Sequence, residues 1–356
     1  MNKIKHNGKI SFWKFMFSLM IVALHLGSLH TNVEYHFAAG SIAVDFFFLV
    51  SGYLFCKKCL NLKSNSKEIG KESLDFIINK IKRFLPYIIF LWVISVPFAV
   101  FGNKYNLLDF EKAFFNLLYF PIYNNTIYNI YGITWYISAM LIIEFILYPL
   151  ILKYKKNFVY IVSPIIVYIV GGYLFIKYGN FSWPWAIDTF CYKGLLRALF
   201  GINFGMFLYV INSRLSKIQL SDFSKFTLTI IEILGYSSIF LLVNKFDAHN
   251  RFDALMIIIF AVCILISFSE KAYLNDFCNN KFFYYLEKLS LPIYINQWLL
   301  IEFIEYGIIK FGFQISYYYE LTLIIILLIV LGIIELKLID YIKSKWPKIR
   351  TVFIDK

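Results

Sequence analysis

One apolar stretch near the N-terminus decides how the rest of the chain is interpreted: Phe12-Trp13-Lys14-Phe15-Met16-Phe17-Ser18-Leu19-Met20-Ile21-Val22-Ala23-Leu24-His25-Leu26-Gly27. It predicts a membrane-spanning helix that contains an ionisable group, His25. Ionisable side chains are costly in lipid, so they usually face a cavity and have a function there. Lys14 precedes His25 by eleven residues, or three helical turns plus roughly 20°, so both lie on one face about 16 Å apart. The stretch therefore predicts a site that extends across half of the bilayer.

The composition indicates that this helix is one of many. Of the 356 residues, 60% are hydrophobic and 21% are aromatic. A soluble protein of this length could not bury so much apolar surface. The net charge of +13 does not indicate nucleic acid as a partner, because the basic residues alternate between loops instead of forming one soluble surface.

Ten apolar runs predict an all-α, polytopic membrane protein. The runs are 13–30, 40–57, 84–102, 133–152, 158–177, 194–211, 226–244, 254–269, 290–309 and 318–339. If the N-terminus is cytoplasmic, inner segments hold 26 of the 35 Lys and Arg residues and outer loops hold 7. This asymmetry predicts cytoplasmic N- and C-termini. We expect one transmembrane domain over 1–345, a short basic cytoplasmic tail over 346–356, and an interfacial amphipathic helix over 109–120.

The five cysteines do not form a disulfide or zinc framework. Cys56-x-x-Cys59 lies at a predicted membrane edge, and no second pair completes a zinc site. We therefore predict five free thiols and no metal centre.

The second predicted span places a carboxylate near the imidazole. Asp45 lies about five residues from the outer end of its span, as His25 does in the preceding antiparallel span. A carboxylate beside an imidazole fixes its tautomer and raises its basicity, which suits a general base. An alternative interpretation pairs Asp45 with Arg197, which also lies near the outer end of its span. The two interpretations are compatible.

Structural interpretations exist for the other charged positions as well. His25 is either functional or a core histidine, and Lys14 is either part of the site or a snorkelling anchor. Lys82 and Arg83, before the third span, either bind phosphates at the cytoplasmic face or anchor the topology. The remaining intramembrane polar residues either line a cavity or pair with one another; they are Glu144, Glu232, Asn296, Gln297 and Glu302.

Several short blocks, in the right order, resemble a known family over nearly the whole chain. They are Lys14 and His25 with ten residues between them, Gly40-x-x-x-Val44-Asp45-x-Phe47-Phe48-x-x-Ser51-Gly52, Lys82-Arg83-Phe84-Leu85-Pro86, Trp135-Tyr136-Ile137-Ser138 running to Tyr148-Pro149, Arg197-Ala198-Leu199-Phe200-Gly201, and Ser290-Leu291-Pro292-Ile293-Tyr294. The chain resembles the acyltransferase 3 family of bacterial integral membrane O-acyltransferases.

The resemblance implies transfer of an acyl group, usually acetyl from acetyl-CoA, to a hydroxyl of an envelope or exported polysaccharide, or of its lipid-linked precursor, at the bacterial plasma membrane. His25, with Asp45, would be catalytic, and Lys14, Lys82 and Arg83 would bind the acyl-CoA. The expected substrate cavity holds Ser51, Trp135, Arg197 and Gln297. Lys14 replaces the usual Arg and so lacks a planar fork for bidentate contacts. Gln297 stands where many members have a second His.

Two other functions are compatible with buried charges in a ten-helix protein. One is a transporter or flippase for a glycan or lipid precursor, which predicts symmetric halves and broken helices; the hydropathy shows no such symmetry. The other is a scaffold subunit of a polysaccharide-export complex.

Overall fold

The computed structural model describes residues 7–29, 36–62, 68–101, 133–184, 186, 191–246 and 252–354, and its regular elements are helices. In chain order they are α1 (Gly8–Gly27), α2 (Ala43–Asn61), α3 (Ile69–Phe101), α4 (Trp135–Asn157), α5 (Ser163–Tyr178), α6 (Lys193–Leu215), α7 (Asp222–Lys245), α8 (Asp253–Ser269), α9 (Asn275–Cys278), α10 (Lys281–Phe311) and α11 (Tyr317–Ile354). A 3₁₀ turn, Gly40–Ile42, precedes α2, and a π-helical segment, Phe158–Val162, joins α4 to α5. The predicted interfacial helix over 109–120 lies outside the described residues.

Six described segments are long and apolar enough to cross a membrane. They are Gly8–Gly27, Gly40–Asn61, Trp135–Tyr178, Lys193–Leu215, Asp222–Lys245 and Tyr317–Lys345, and α8 is a shorter apolar helix. The prediction of an all-α polytopic membrane protein is confirmed. Each of the ten predicted spans coincides with a helix, but ten crossings and cytoplasmic termini stay predictions. The helix α11 runs to Ile354, so the predicted tail over 346–356 begins inside it.

Local sequence explains where several helices begin and end. The side chain of Asn7 accepts a hydrogen bond from the backbone N–H of Ile10, and that of Asn280 accepts from the N–H groups of Phe282 and Phe283. These side chains satisfy backbone donors that the first helical turn leaves unpaired. Gly179 and Gly312 end α5 and α10 at φ 68° and 67°, a left-handed conformation that glycine adopts without strain.

The helix α1 lies between two apolar clusters. Phe17 and Met20 of α1 belong to the larger cluster, which includes side chains of α2, α4, α6 and α8. Val22 and Leu26 of α1 belong to the smaller one, which joins α1 to α10 and α11. The helix that carries Lys14 and His25 therefore has protein on two sides.

Glycines allow α2 and α6 to approach closely. A Cβ atom on Gly52 would lie 2.1 Å from the carbonyl oxygen of Ile202, and one on Gly205 would lie 2.0 Å from that of Leu49. Small residues serve this purpose in many membrane helix pairs. Further toward the C-terminal ends of the two helices, the side-chain amide of Asn212 donates to the hydroxyl of Tyr53 at 2.5 Å.

Candidate active site

A cavity of about 430 Å³ opens at the predicted cytoplasmic end of the bundle, between α1, α2, α3, α4 and α10. Three residues that the sequence assigned to the site line it: Lys14 from α1, Ser51 from α2 and Arg83 from α3. Lys58 and Lys80 line it too, which makes the mouth of the cavity strongly basic. The deeper wall is mostly apolar and aromatic.

Two of the four cations have carboxylate partners. The ammonium of Lys14 lies 2.6 Å from Glu287, and that of Lys80 pairs with the fully buried Glu144. Lys58 lies 4.6 Å above the ring of Phe76 instead. Neither Lys58 nor Arg83 forms an ion pair with a described residue. The cavity mouth therefore presents two positive charges that form no direct ion pair with a described residue.

Lys82 lies outside this cavity. Its side chain is exposed and does not line the cavity, whereas Arg83 and Lys80 do. Residues three apart share a helix face, so Lys80 and Arg83 point to the same side of α3, and Lys82 points elsewhere. Of the two cations predicted to bind acyl-CoA in this segment, Arg83 lines the cavity and Lys82 does not.

Arg197 and Asp45 form a buried ion pair between α6 and α2. The guanidinium donates to the two carboxylate oxygens at 2.6 and 3.4 Å, and also to the carbonyl oxygen of Ser41 at 3.2 Å. It lies 5.3 Å from the ring of Trp135. This is the alternative partner that the sequence suggested for Asp45. Neither Arg197 nor Trp135 lines the cavity described above.

His25 lies nearer the C-terminal end of α1, against α10. Its ring meets that of Trp298 edge-on at 4.9 Å, and the side chain of Gln297 lies beside it. The Nδ1 atom is buried and has no hydrogen-bond partner among the described residues. The expected hydrogen bond to Asp45 is therefore not found among them, and a catalytic role for Asp45 stays a prediction. A ring nitrogen without a partner is available to accept a proton.

The cavity and His25 are adjacent but separate. Lys14 lines the cavity, whereas neither His25 nor Gln297 does. Gln297 lies one helical turn beyond Tyr294, which lines the deep wall, and its amide donates to the carbonyl oxygen of Tyr294 at 2.9 Å. Lys14 and His25, which the sequence places on one face of α1, thus lie at the cavity and beside Trp298, respectively.

Sequence reasoning missed several cavity residues. Lys80 could have been found from its spacing, because it lies one helical turn before Arg83. Lys58 gave no separate signal in the sequence, where it stands between Cys56 and Cys59. The structure confirms all five cysteines as free thiols. Glu287 carried no local signal, because its contact with Lys14 joins distant parts of the chain.

The sequence also matches a protein-family model. The family model described as an acyltransferase domain matches residues 7–334, nearly the whole chain. The match covers every helix that contributes to the cavity and both residues of the Asp45–Arg197 pair. No curated protein and no solved structure matches the sequence. The chain therefore belongs to the acyltransferase 3 family of membrane acyltransferases.

Proposed function

We propose that this protein transfers an acyl group, most simply acetyl, from acyl-CoA to a hydroxyl of an envelope or exported polysaccharide or its lipid-linked precursor. The observation that carries the proposal is a basic cavity whose wall includes Lys14, on the same helix as an imidazole with an unpartnered nitrogen. In this proposal the enzyme lies in the bacterial plasma membrane, and the cavity mouth faces the cytoplasm, where acyl-CoA is made.

The charges at the mouth suit a phosphorylated donor. Lys58 and Arg83 have no ion pair with a described residue, and Arg offers planar, bidentate contacts to phosphate. Glu287 and Glu144 neutralise the charges of Lys14 and Lys80, so these two lysines add little net positive charge to the cavity mouth. In this proposal the phosphates of CoA bind at the mouth, and the uncharged arm extends along the apolar wall toward His25.

His25 would act as the general base. A sugar hydroxyl is a weak nucleophile at neutral pH, and a positioned base contributes roughly 10²–10⁴-fold in rate. The imidazole accepts the hydroxyl proton while the oxygen bonds to the acyl carbon. The bond from that carbon to sulfur breaks, and the CoA thiolate leaves and takes up a proton. Trp298 and Gln297 hold the ring in place for this step.

The test is the mass of the surface glycan from cells that express His25→Ala in place of the natural protein. The proposal expects glycan that lacks the acyl group, as in a deletion strain. His36→Ala is the matched control, because His36 lies outside α1 and contacts the rings of Tyr317 and Tyr318 instead. Normal acylation by a folded His25→Ala protein would overturn the mechanism. Accumulation of unmodified precursor inside the deletion strain would instead indicate a transporter.

A further inference from the structure

Three aromatic rings from three helices meet at the deep end of the cavity. They are Phe47 of α2, Tyr136 of α4 and Tyr294 of α10, and all three line the cavity. The ring centroids lie 6.0 Å apart for Phe47 and Tyr136, 6.4 Å for Phe47 and Tyr294, and 5.8 Å for the two tyrosines. We call these three side chains the aromatic constriction.

The constriction lies between the cavity mouth and His25. A helix rises 1.5 Å per residue, so Tyr294 lies about 10 Å outward of Glu287, and Trp298 about 16 Å outward. Glu287 contacts Lys14, and Trp298 contacts His25, which fixes α1 and α10 in the same register. An acyl group that enters at Lys14 therefore meets the rings before it meets the imidazole.

The three rings are not held equally. The hydroxyl of Tyr294 donates to the carbonyl oxygen of Ile133 at 2.6 Å, and that of Tyr136 lies 3.4 Å from the hydroxyl of Ser51. Phe47 has no polar atom and is only half-buried, so ring contacts alone hold it. Its replacement leaves no buried polar group unpaired, which makes it the residue of the three that tests the size of the opening most directly.

We propose that the aromatic constriction selects the acyl group by size, so that acetyl reaches His25 and longer chains do not. This inference rests on the proposed acyl transfer and adds the residues that set donor specificity. An acyl chain with extra methylenes must displace the Phe47 ring from its two tyrosine neighbours. In a packed site such displacement penalises the longer substrate in the reaction as well as in binding.

The experiment compares donors of increasing length. The full-length protein in lipid nanodiscs receives acetyl-, butanoyl- or hexanoyl-CoA and glycan extracted from a deletion strain. The mass increment of the glycan identifies the transferred group, and initial rates give kcat/KM for each donor. The wild type should prefer acetyl. Phe47→Ala should raise the ratio of hexanoyl to acetyl transfer by about tenfold or more, and Phe47→Leu should raise it less.

Phe84→Ala is the matched control. Phe84 is also a half-buried phenylalanine that lines the cavity, but it belongs to α3 next to Arg83. Its truncation removes the same volume from outside the constriction, so the ratio of hexanoyl to acetyl transfer should stay as in the wild type. Gel filtration of each variant in detergent establishes that it is folded, and Phe47→Leu remains informative if Phe47→Ala does not fold.

The outcomes separate the two proposals. If the wild type transfers acetyl and the folded Phe47 variants keep its donor preference, the constriction does not select the donor, although acyl transfer stands. An equal change in Phe84→Ala would also overturn the inference, because the selectivity would then not lie in these rings. If the wild type transfers no acyl group from any donor, the proposed function fails, and donor selection fails with it.

Discussion

Arg197 donates hydrogen bonds to both carboxylate oxygens of Asp45, at 2.6 and 3.4 Å, in a setting where both side chains are almost completely buried. The pair joins the N-terminal end of α2 to that of α6. The Nδ1 atom of His25 has no hydrogen-bond partner, and so none from Asp45, among the described residues. Asp45 thus forms a charged contact between α2 and α6.

Asp45→Asn should lower stability more than it alters the chemistry. Removing one partner of a buried ion pair leaves an uncompensated charge on Arg197 and typically costs about 3–5 kcal/mol. Thermal unfolding in detergent should show a lower Tm for Asp45→Asn and for Arg197→Gln, and a smaller loss for the double variant than for the sum of the two. Additive losses would contradict the pairing. A stable Asp45→Asn protein with greatly reduced kcat would favour direct orientation of His25.

Arg83→Gln should weaken donor binding, whereas Lys82→Gln should not. A hydrogen bond to a charged group contributes about 1.5–3 kcal/mol, so the KM for acyl-CoA should rise roughly ten- to a hundredfold in Arg83→Gln and in Lys58→Gln. Lys82 is the matched control because it is the neighbouring cation of α3 and does not line the cavity. Steady-state kinetics at several salt concentrations would measure both effects. Equal effects at 82 and 83 would mean that the cavity is not the donor site.

Substitutions of Lys14 and Glu287 should have different effects on the KM for acyl-CoA. Lys14→Gln removes a cation and leaves the Glu287 carboxylate facing the donor phosphates, so the KM for acyl-CoA should rise. Glu287→Gln removes the negative charge and can still accept the hydrogen bond from Ser11, which is 2.8 Å long, so the KM should fall or stay unchanged. Steady-state kinetics with acyl-CoA would measure the KM of both variants. A rise in KM in both variants would indicate that the ion pair maintains the shape of the site and does not tune its charge.

Two glycines in neighbouring helices should respond differently to alanine. Gly205→Ala places a Cβ atom 2.0 Å from the backbone oxygen of Leu49, so α2 and α6 must separate, at a cost of about 1–3 kcal/mol. Gly172→Ala meets no atom within 4 Å, and alanine favours the helix over glycine by about 0.5–1 kcal/mol. Tm values in detergent should therefore fall for the first and hold or rise for the second. Equal shifts would show that close packing of α2 on α6 is unimportant.

Sequence predicted the elements of this fold better than their contacts. Apolar runs locate the helices because burial in lipid needs about 20 consecutive apolar residues. They did not predict that α3 begins at Ile69, because its first three turns mix charged residues with apolar ones and form no continuous apolar run.

The candidate site was predicted in part. The spacing of Lys14 and His25 placed both on α1, and the similar depth of Asp45 and Arg197 anticipated their pairing. The partners of Lys14 and Lys80 were not predicted, because Glu287 and Glu144 come from other helices. Such contacts depend on which helix faces come together, and that information is distributed over the whole sequence. The aromatic constriction is of the same kind, since its three rings come from three distant segments.

The position of α1 between two apolar clusters has a consequence for biogenesis. This helix leaves the ribosome long before α10 and α11, and Lys14 meets its carboxylate partner only after 273 residues of further synthesis. Until then the nascent chain must hold an ammonium and an imidazole in or near the insertion channel without their native neighbours. The completion of this enzyme is therefore a late event, set by the arrival of its C-terminal helices.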